Sequence, residues 1–206
     1  MRKMTEKEIT IVCVAYKRYR EIHVLINSII CQTLENWKLM VIHDGPDVKM
    51  NELLERYKHE NDNIDYMFTD KRYHDYGHSL RDIGIRKADT EFLLLTNDDN
   101  YYMPVFLEYM FKSIRANNLD LVLCDMIHSH NNPGIYMQQP YELFKAYPRK
   151  HYTDIGNFIV KTKIAQDVGF RSRAFDADGV FIDDIMTRYA NKIRVGKINN
   201  VLFVHN

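Results

Sequence analysis

Strand-like and helix-like runs alternate with short connections over residues 9–95, which predicts an α/β fold: a mostly parallel central sheet with helices on both faces. Three observations carry that expectation. Residues 9–15 form an unbroken, β-branched apolar run, as in a strand buried on both faces. Residues 22–30 repeat apolar side chains at helical spacing, and each later strand-like run is set apart from the next by another such stretch.

In order, Ile9-Thr-Ile-Val-Cys-Val-Ala15 is the first strand. Residues 19–31 predict a helix that places Ile22, Leu25, Ile26, Ile29 and Ile30 on one side, with Arg20 and Glu21 near its start. Leu39-Met-Val-Ile42 reads as a second buried strand, closed by the turn Asp44-Gly45-Pro46. Residues 51–59 predict a helix with Leu53, Leu54 and Tyr57 inward, and 64–68 a third strand. Leu80, Ile83 and Arg86-Lys87 suit another helix, and 91–95 a fourth strand. Pro104 fits the first turn of a helix carrying Phe106, Met110 and Ile114. Beyond Leu119-Asp-Leu-Val-Leu-Cys124 the pattern turns irregular. Asn131-Asn-Pro-Gly134 is a turn, 157–161 and 193–204 are short strands, and 183–191 is a helix between them. The expectation is one domain over 1–206, with a nucleotide-binding half (1–118) and an acceptor-binding half (119–206). An ending on a strand-like run is also what a piece of a longer protein would show.

Composition narrows the function. Lys plus Arg and Asp plus Glu both number 28, so the net charge is +0 and no basic excess points to nucleic acid. Cys13, Cys31 and Cys124 stand far apart inside apolar runs, without metal-ligand spacing. That predicts buried, reduced thiols and a cytoplasmic setting. No apolar run approaches the ~20 residues of a membrane span, and the charged start, Met1 to Glu8, has no signal-like stretch.

Ligands of an open α/β sheet bind beyond the carboxyl ends of its strands. Polar clusters fall at three such ends: Ala15-Tyr16-Lys17-Arg18, His43-Asp44, and Asn97-Asp98-Asp99-Asn100. Adjacent carboxylates repel, and a divalent cation with oxygen ligands gives them a reason to converge. It would also bridge a nucleotide diphosphate. A surface turn before a helix is the plainer account of the same residues. Asp44 offers only acceptors, which suits the N–H of a pyrimidine base, and it suits a turn before Gly45-Pro46 equally well. Tyr16 suits stacking on the base or covering the sheet edge.

Taken in this order, the clusters resemble the inverting glycosyltransferases of family 2, whose fold is called GT-A. The opening strand and loop match Ile11-Val-Cys-Val-Ala-Tyr-Lys-Arg18, and the Asp-Gly turn matches Val41-Ile-His-Asp-Gly-Pro-Asp47. A glycine followed by Arg-Asn before a helix is similar to Tyr76-Gly-His-Ser-Leu-Arg-Asp82. The family's Asp-x-Asp metal motif is matched by Leu95-Thr-Asn-Asp-Asp-Asn-Tyr-Tyr-Met-Pro104, with Asn97 in the first acidic place and Asp99 in the last. The resemblance is good over 9–110 and weak beyond.

It implies that Ala15, Tyr16, Arg18, Asp44, Arg81, Asn97 and Asp98 meet the nucleotide, and that Asp99 is the chief ligand of Mn²⁺ or Mg²⁺. The family's acidic pair at a helix start, whose second member is the catalytic base, resembles Asp183-Asp184 in Gly179-Val-Phe-Ile-Asp-Asp-Ile-Met-Thr-Arg188. Helix capping explains one of these two as well. His205 resembles a late histidine ligand to the metal, and Asp154-Ile-Gly-Asn157 an acceptor-side stretch in which Asn157 meets the acceptor sugar. The implied activity is metal-dependent transfer from a UDP-linked sugar to a hydroxyl of a glycan or other acceptor, with inversion. A non-catalytic nucleotide-sugar-binding module is the rival, kept open by Asn97. A sugar nucleotidyltransferase fits less well, because the loop Ala15-Tyr-Lys-Arg-Tyr19 lacks glycine.

Overall fold

The computed structural model describes residues 7–128 and 141–206. The expected turn at 131–134 lies outside them. Strands β1 (Ile9–Ala15), β2 (Trp37–His43), β3 (Ile64–Phe68) and β4 (Phe92–Asn97) form the parallel part of the sheet in the order β3-β2-β1-β4. Next to β4 comes β8 (Phe158–Lys161), antiparallel to it, then β6 (Leu121–His128), β9 (Val195–His205) and the short β5 (Tyr101–Tyr102). Strand β7 (Glu142–Phe144) pairs with β6 off this path. The fold is α/β of the GT-A kind, parallel in its first half and mixed in its second.

Alternation along β1 assigns the two faces. Ile9, Ile11, Cys13 and Ala15 point into one apolar layer, and Val12 and Val14 into the other. Three helices cover the first layer: α1 (Glu21–Ile30), α2 (Val48–Glu60) and α4 (Phe106–Ala116). Three more cover the second: α3 (His78–Lys87), α5 (Thr162–Val168) and α6 (Ala177–Tyr189). Each presents an apolar stripe to the sheet, such as Ile22, Leu25, Ile26 and Ile29 on α1.

Several boundaries differ from the expectation for local reasons. Asp47 caps α2 by accepting from the Met50 N–H at 2.8 Å, so that helix begins at Val48 rather than at 51. Pro104 precedes α4, which starts at Phe106. Helix α6 starts at Ala177, well ahead of 183, because Ala177, Phe181, Ile182 and Ile185 already form its buried stripe. Of the cysteines, Cys13 and Cys124 are buried but Cys31 is exposed, at the end of α1 where the helix stripe runs out. No helix among the described residues is long and apolar enough to cross a membrane.

Gly84 fixes how closely α3 lies on β1. A Cβ there would fall inside the contact distance of Val12 Cγ1, a side chain of the buried central strand. Gly84→Ala gains about 1 kcal/mol of helix propensity but overpacks this seam, which costs about 1–3 kcal/mol. Because Val12 is locked in a two-sided core, the cost should win. The urea midpoint of Gly84→Ala should fall below that of wild type; an equal or higher midpoint would mean that α3 can slide outward freely.

Candidate functional site

The parallel register sets Ala15 beside His43 and Val14 beside Asn97, so Tyr16, Asp44 and Asp98 leave their strands side by side. Strand β3 ends level with them, Phe68 opposite His43. All three sequence clusters therefore share one edge of the sheet, the edge where open α/β sheets bind ligands.

One corner of this edge is built on Asp44. Its buried carboxylate accepts from the backbone N–H of Tyr73 at 2.7 Å and of His74 at 3.4 Å, which folds the loop after β3 over the strand ends. Arg72 in that loop approaches the same carboxylate at 3.7 Å and lays its guanidinium 3.6 Å over the Tyr16 ring. Tyr16 also stacks with His43, with centroids 5.8 Å apart. His43 in turn is held by Gly45 O and by the Lys17 N–H. Asp44 thus spends part of its acceptor capacity on the protein, but a carboxylate has about four lone-pair sites and these contacts leave some free. Arg72 escaped the sequence reading. Its signal was position: it follows a third strand ending at the same edge.

The middle of the edge is acidic. Asp98 accepts from the Tyr16 N–H at 3.0 Å and from Arg18 at 3.2 Å, and Arg18 also bonds Asp99. Asp98 therefore positions the loop after β1. Asn97 accepts from Arg81, whose guanidinium also donates to Tyr76 O at 2.9 Å and to His78 Nδ1 at 3.0 Å. Arg81 is 3% exposed. Burial, and then the Arg81 charge, hold His78 below the usual histidine range.

The remaining side of the cleft comes from the second half of the chain. Asp178, in the first turn of α6, stands 4.0 Å from Arg81 Nε. Neither Asp178 Oδ1 nor Arg81 Nε has a hydrogen-bond partner among the described residues, although both atoms are buried. Asp154 accepts from the Gly156 N–H at 2.8 Å and pairs with His205 at 3.5 Å. His205 stacks almost flat on His128, with centroids 4.3 Å apart. Burial raises the carboxyls of Asp99, Asp154 and Asp178 above the usual range. These groups also act on one another: His205 is close enough to influence Asp99, and Asp154 to influence Asp178.

The expected pair Asp183-Asp184 is not brought to this cleft. Asp183 accepts from the Lys150 N–H at 2.9 Å, and Asp184 pairs with Arg171 at 3.0 Å. Both lie in the middle of α6, a third of a turn or more around the helix from Asp178. Adjacency of two carboxylates drew the sequence reading there; the helix start was the better signal, and it holds Asp178. Asn157 also departs from expectation. It is fully buried, accepts from Thr153 and donates to Cys124 O, so its amide joins the Asp154 turn to β6 rather than meeting an acceptor.

A divalent cation can be judged against these residues. Asp99 Oδ1 is buried without a hydrogen-bond partner among the described residues, as a ligand atom would be. Against a protein-built cage, no group of three or more His, Cys, Asp or Glu among the described residues could hold a metal. Mg²⁺-like ions, however, take one or two protein carboxylates and complete themselves with substrate phosphates and water. Asp99 with His205 fits a site of that partial kind.

Comparison with known proteins gives the family and the fold. The family model described as Glycosyl transferase family 2 matches residues 10–181. "Putative glycosyltransferase EpsH" of Bacillus subtilis (strain 168) is 22% identical over 151 residues, 72% of this chain and 42% of EpsH. The S. aureus TarS 1-349 structure in complex with UDP-GlcNAc superposes with a TM-score of 0.77 at 17% identity, over 96% of this chain and 58% of that one. The mannosyltransferase PcManGT from Pyrobaculum calidifontis, in complex with GDP-Man and Mn2+, gives 0.72 at 14% identity, over 98% and 57%. The chain therefore spans only about two fifths to three fifths of the length of these relatives.

The buried acids have a thermodynamic signature. Burial lifts the Asp98 carboxyl to about 7, against the pull of Arg18 and the Tyr16 N–H. The unfolded chain gives up this proton near pH 4, so between there and 7 the folded state holds more protons and loses stability as pH rises. Asp98→Asn cannot titrate. In EDTA, the unfolding free energy of the variant relative to wild type should rise steadily from pH 4 to pH 7, by up to about 1.4 kcal/mol per pH unit. A difference that stays flat with pH would show that Asp98 is ionised throughout.

Proposed function

The chain belongs to glycosyl transferase family 2, and from that premise we propose that it transfers a sugar from a UDP-linked donor to an acceptor hydroxyl, with inversion, using Asp178 as the general base. The observation that carries the reading is Asp178 itself: a carboxylate in the first turn of α6 with one buried oxygen that has no hydrogen-bond partner among the described residues, paired with Arg81 Nε at 4.0 Å. Burial raises its proton affinity, as a base working near neutrality needs.

In this reading the acceptor oxygen attacks the anomeric carbon while Asp178 takes its proton. The bond from that carbon to the diphosphate oxygen breaks, and its electron pair leaves with the diphosphate. Attack opposite the leaving group inverts the anomeric centre. Arg81 and Arg18 lie where negative charge collects on the diphosphate, and oriented cations in a desolvated cleft stabilise it best. A divalent cation held by Asp99 and His205 would add Lewis-acid stabilisation there. Tyr16, Arg72 and Asp44 form the nucleoside end, where Asp44 accepts from a base N–H and the stacked Tyr16–Arg72 pair packs on the ring. The likeness to TarS in complex with UDP-GlcNAc supports a UDP donor; PcManGT in complex with GDP-Man and Mn2+ supports a metal.

Slow transfer to water from a panel of UDP-sugars tests the base. Asp178→Asn should lower turnover by about 10²–10⁴-fold while UDP affinity by calorimetry stays near wild type; Asp184→Asn should remain active. Full turnover in Asp178→Asn would overturn the assignment, and loss in Asp184→Asn alone would restore the adjacent pair as the catalytic one. Wild-type protein that binds UDP but never turns over would favour the non-catalytic reading, which Asn97 in an acidic position supports. UDP affinity that is equal in EDTA and in Mn²⁺ would remove the metal from the account.

A further inference from the structure

Two of the most exposed aromatic side chains in the molecule meet beside the proposed base. Tyr76 is 70% exposed and Phe175 66%, and their rings lie edge to face with centroids 5.9 Å apart. They come from segments about a hundred residues apart, so chance clustering of neighbours along the chain does not account for them. Scattered exposed apolar residues need no explanation, but a paired one at the mouth of a cleft does.

Both rings are fixed relative to Asp178. Phe175 ends the loop that leads into α6, three residues before it. Tyr76 takes a left-handed backbone (φ 57), unusual for a large side chain, and its carbonyl is bound by Arg81, the residue that faces Asp178. Arg173 joins Asp75 at 3.3 Å, and His78 stacks on Phe170 at 5.4 Å, so the two loops are stitched together beneath the rings. The nucleoside corner of Tyr16, Arg72 and Asp44 is a separate cluster and already has its own stacking partners.

We propose that Tyr76 and Phe175 form the platform that receives the pyranose ring of the acceptor, which makes the acceptor a sugar. A pyranose has an apolar face of axial C–H groups and a polar rim. The negative face of an aromatic ring attracts those C–H groups, and two rings at right angles offer a corner that holds one sugar in a single orientation. Laid against that corner, the sugar keeps its rim hydroxyls turned toward Asp178. The proposal rests on Asp178 being the base, and it adds the chemical class of the acceptor.

Saturation-transfer NMR with methyl glycosides of glucose, galactose, mannose and N-acetylglucosamine tests it, with glycerol as a ringless polyol and UDP present throughout. At least one glycoside should receive saturation on its axial ring protons, and glycerol none. Phe175→Ala and Tyr76→Asn (asparagine tolerates the left-handed backbone) should weaken that glycoside's binding about fivefold to tenfold. Phe175→Trp should keep it, and UDP affinity should be unchanged in every variant. The platform is overturned if wild type binds none of the glycosides, or if the Ala and Asn variants bind them as wild type does. Failure of UDP to bind wild type would instead count against the transferase reading, because the glycoside signal is read independently.

Discussion

Burial of one guanidinium organises this molecule. Arg81 is taken out of water at the junction of α3, the end of β4 and the first turn of α6. Removing such a charge from water costs several kcal/mol unless hydrogen bonds and an opposite charge offset it. Asn97, Tyr76 O and His78 supply the bonds, and Asp178 supplies the charge. Tyr76 and His78 come from around the start of Arg81's own helix, Asn97 from the end of β4 and Asp178 from α6, so satisfying Arg81 brings the early and late parts of the sequence to one place. The planar, always-charged fork of arginine can serve all of them together; a lysine could not.

The second constraint is electrostatic and follows from the first. Asp98, Asp99, Asp154 and Asp178 gather in a desolvated region, and burial raises all four. Such a cluster would repel a nucleotide diphosphate on its own. Arg18 and Arg81 counter it from the protein side, one bound to Asp98 and Asp99 and the other facing Asp178. Among these four acids, the buried oxygens left without a hydrogen bond to a described residue are Asp178 Oδ1, which faces Arg81, and Asp99 Oδ1, beside His205. On the proposed reading, a site with that balance favours a ligand that arrives as a cation–diphosphate pair over either ion alone.

How far the sequence could be read depended on how each feature is encoded. Strands β1 and β4 are buried on both faces in the parallel part of the sheet, so they appear as continuous apolar runs, and the polar residues that end them and the neighbouring β2 stand out. Tyr16, Asp44 and Asp98 were legible for that reason. Beyond β4 the sheet is mixed and chain order no longer follows sheet order, and the signal fades where elements are short: α5, with seven residues, and β7, with three, leave no period to detect. Asp178 was hidden because Ala177 separates it from Asp176, whereas Asp183 and Asp184 form a visible pair, which the structure engages with the Lys150 N–H and with Arg171. Arg72 and Asn157 show the two opposite failures. The first acts through a loop fold that Asp44 imposes, which no local pattern reveals; the second resembles a polar site residue but spends its amide inside the core.

The two sides of the cleft also differ in how tightly they are coupled. On the proposed reading, the nucleoside corner depends on Asp44 and the loop folded over it, and Asp98 ties that corner to the middle of the edge through the Tyr16 N–H. On the other side, Tyr76, Arg81, Asp178 and Phe175 are linked through successive contacts, and Gly77 (φ 82) lets α3 begin directly under Val14. A change in the first turn of α6 would therefore move the carboxylate and the Phe175 ring together, whereas a change at Tyr16 or Arg72 would leave both in place. If the proposed roles hold, variation in the late loops can then alter what is received beside Asp178 without disturbing how the nucleotide is held, which is how one scaffold can serve many acceptors.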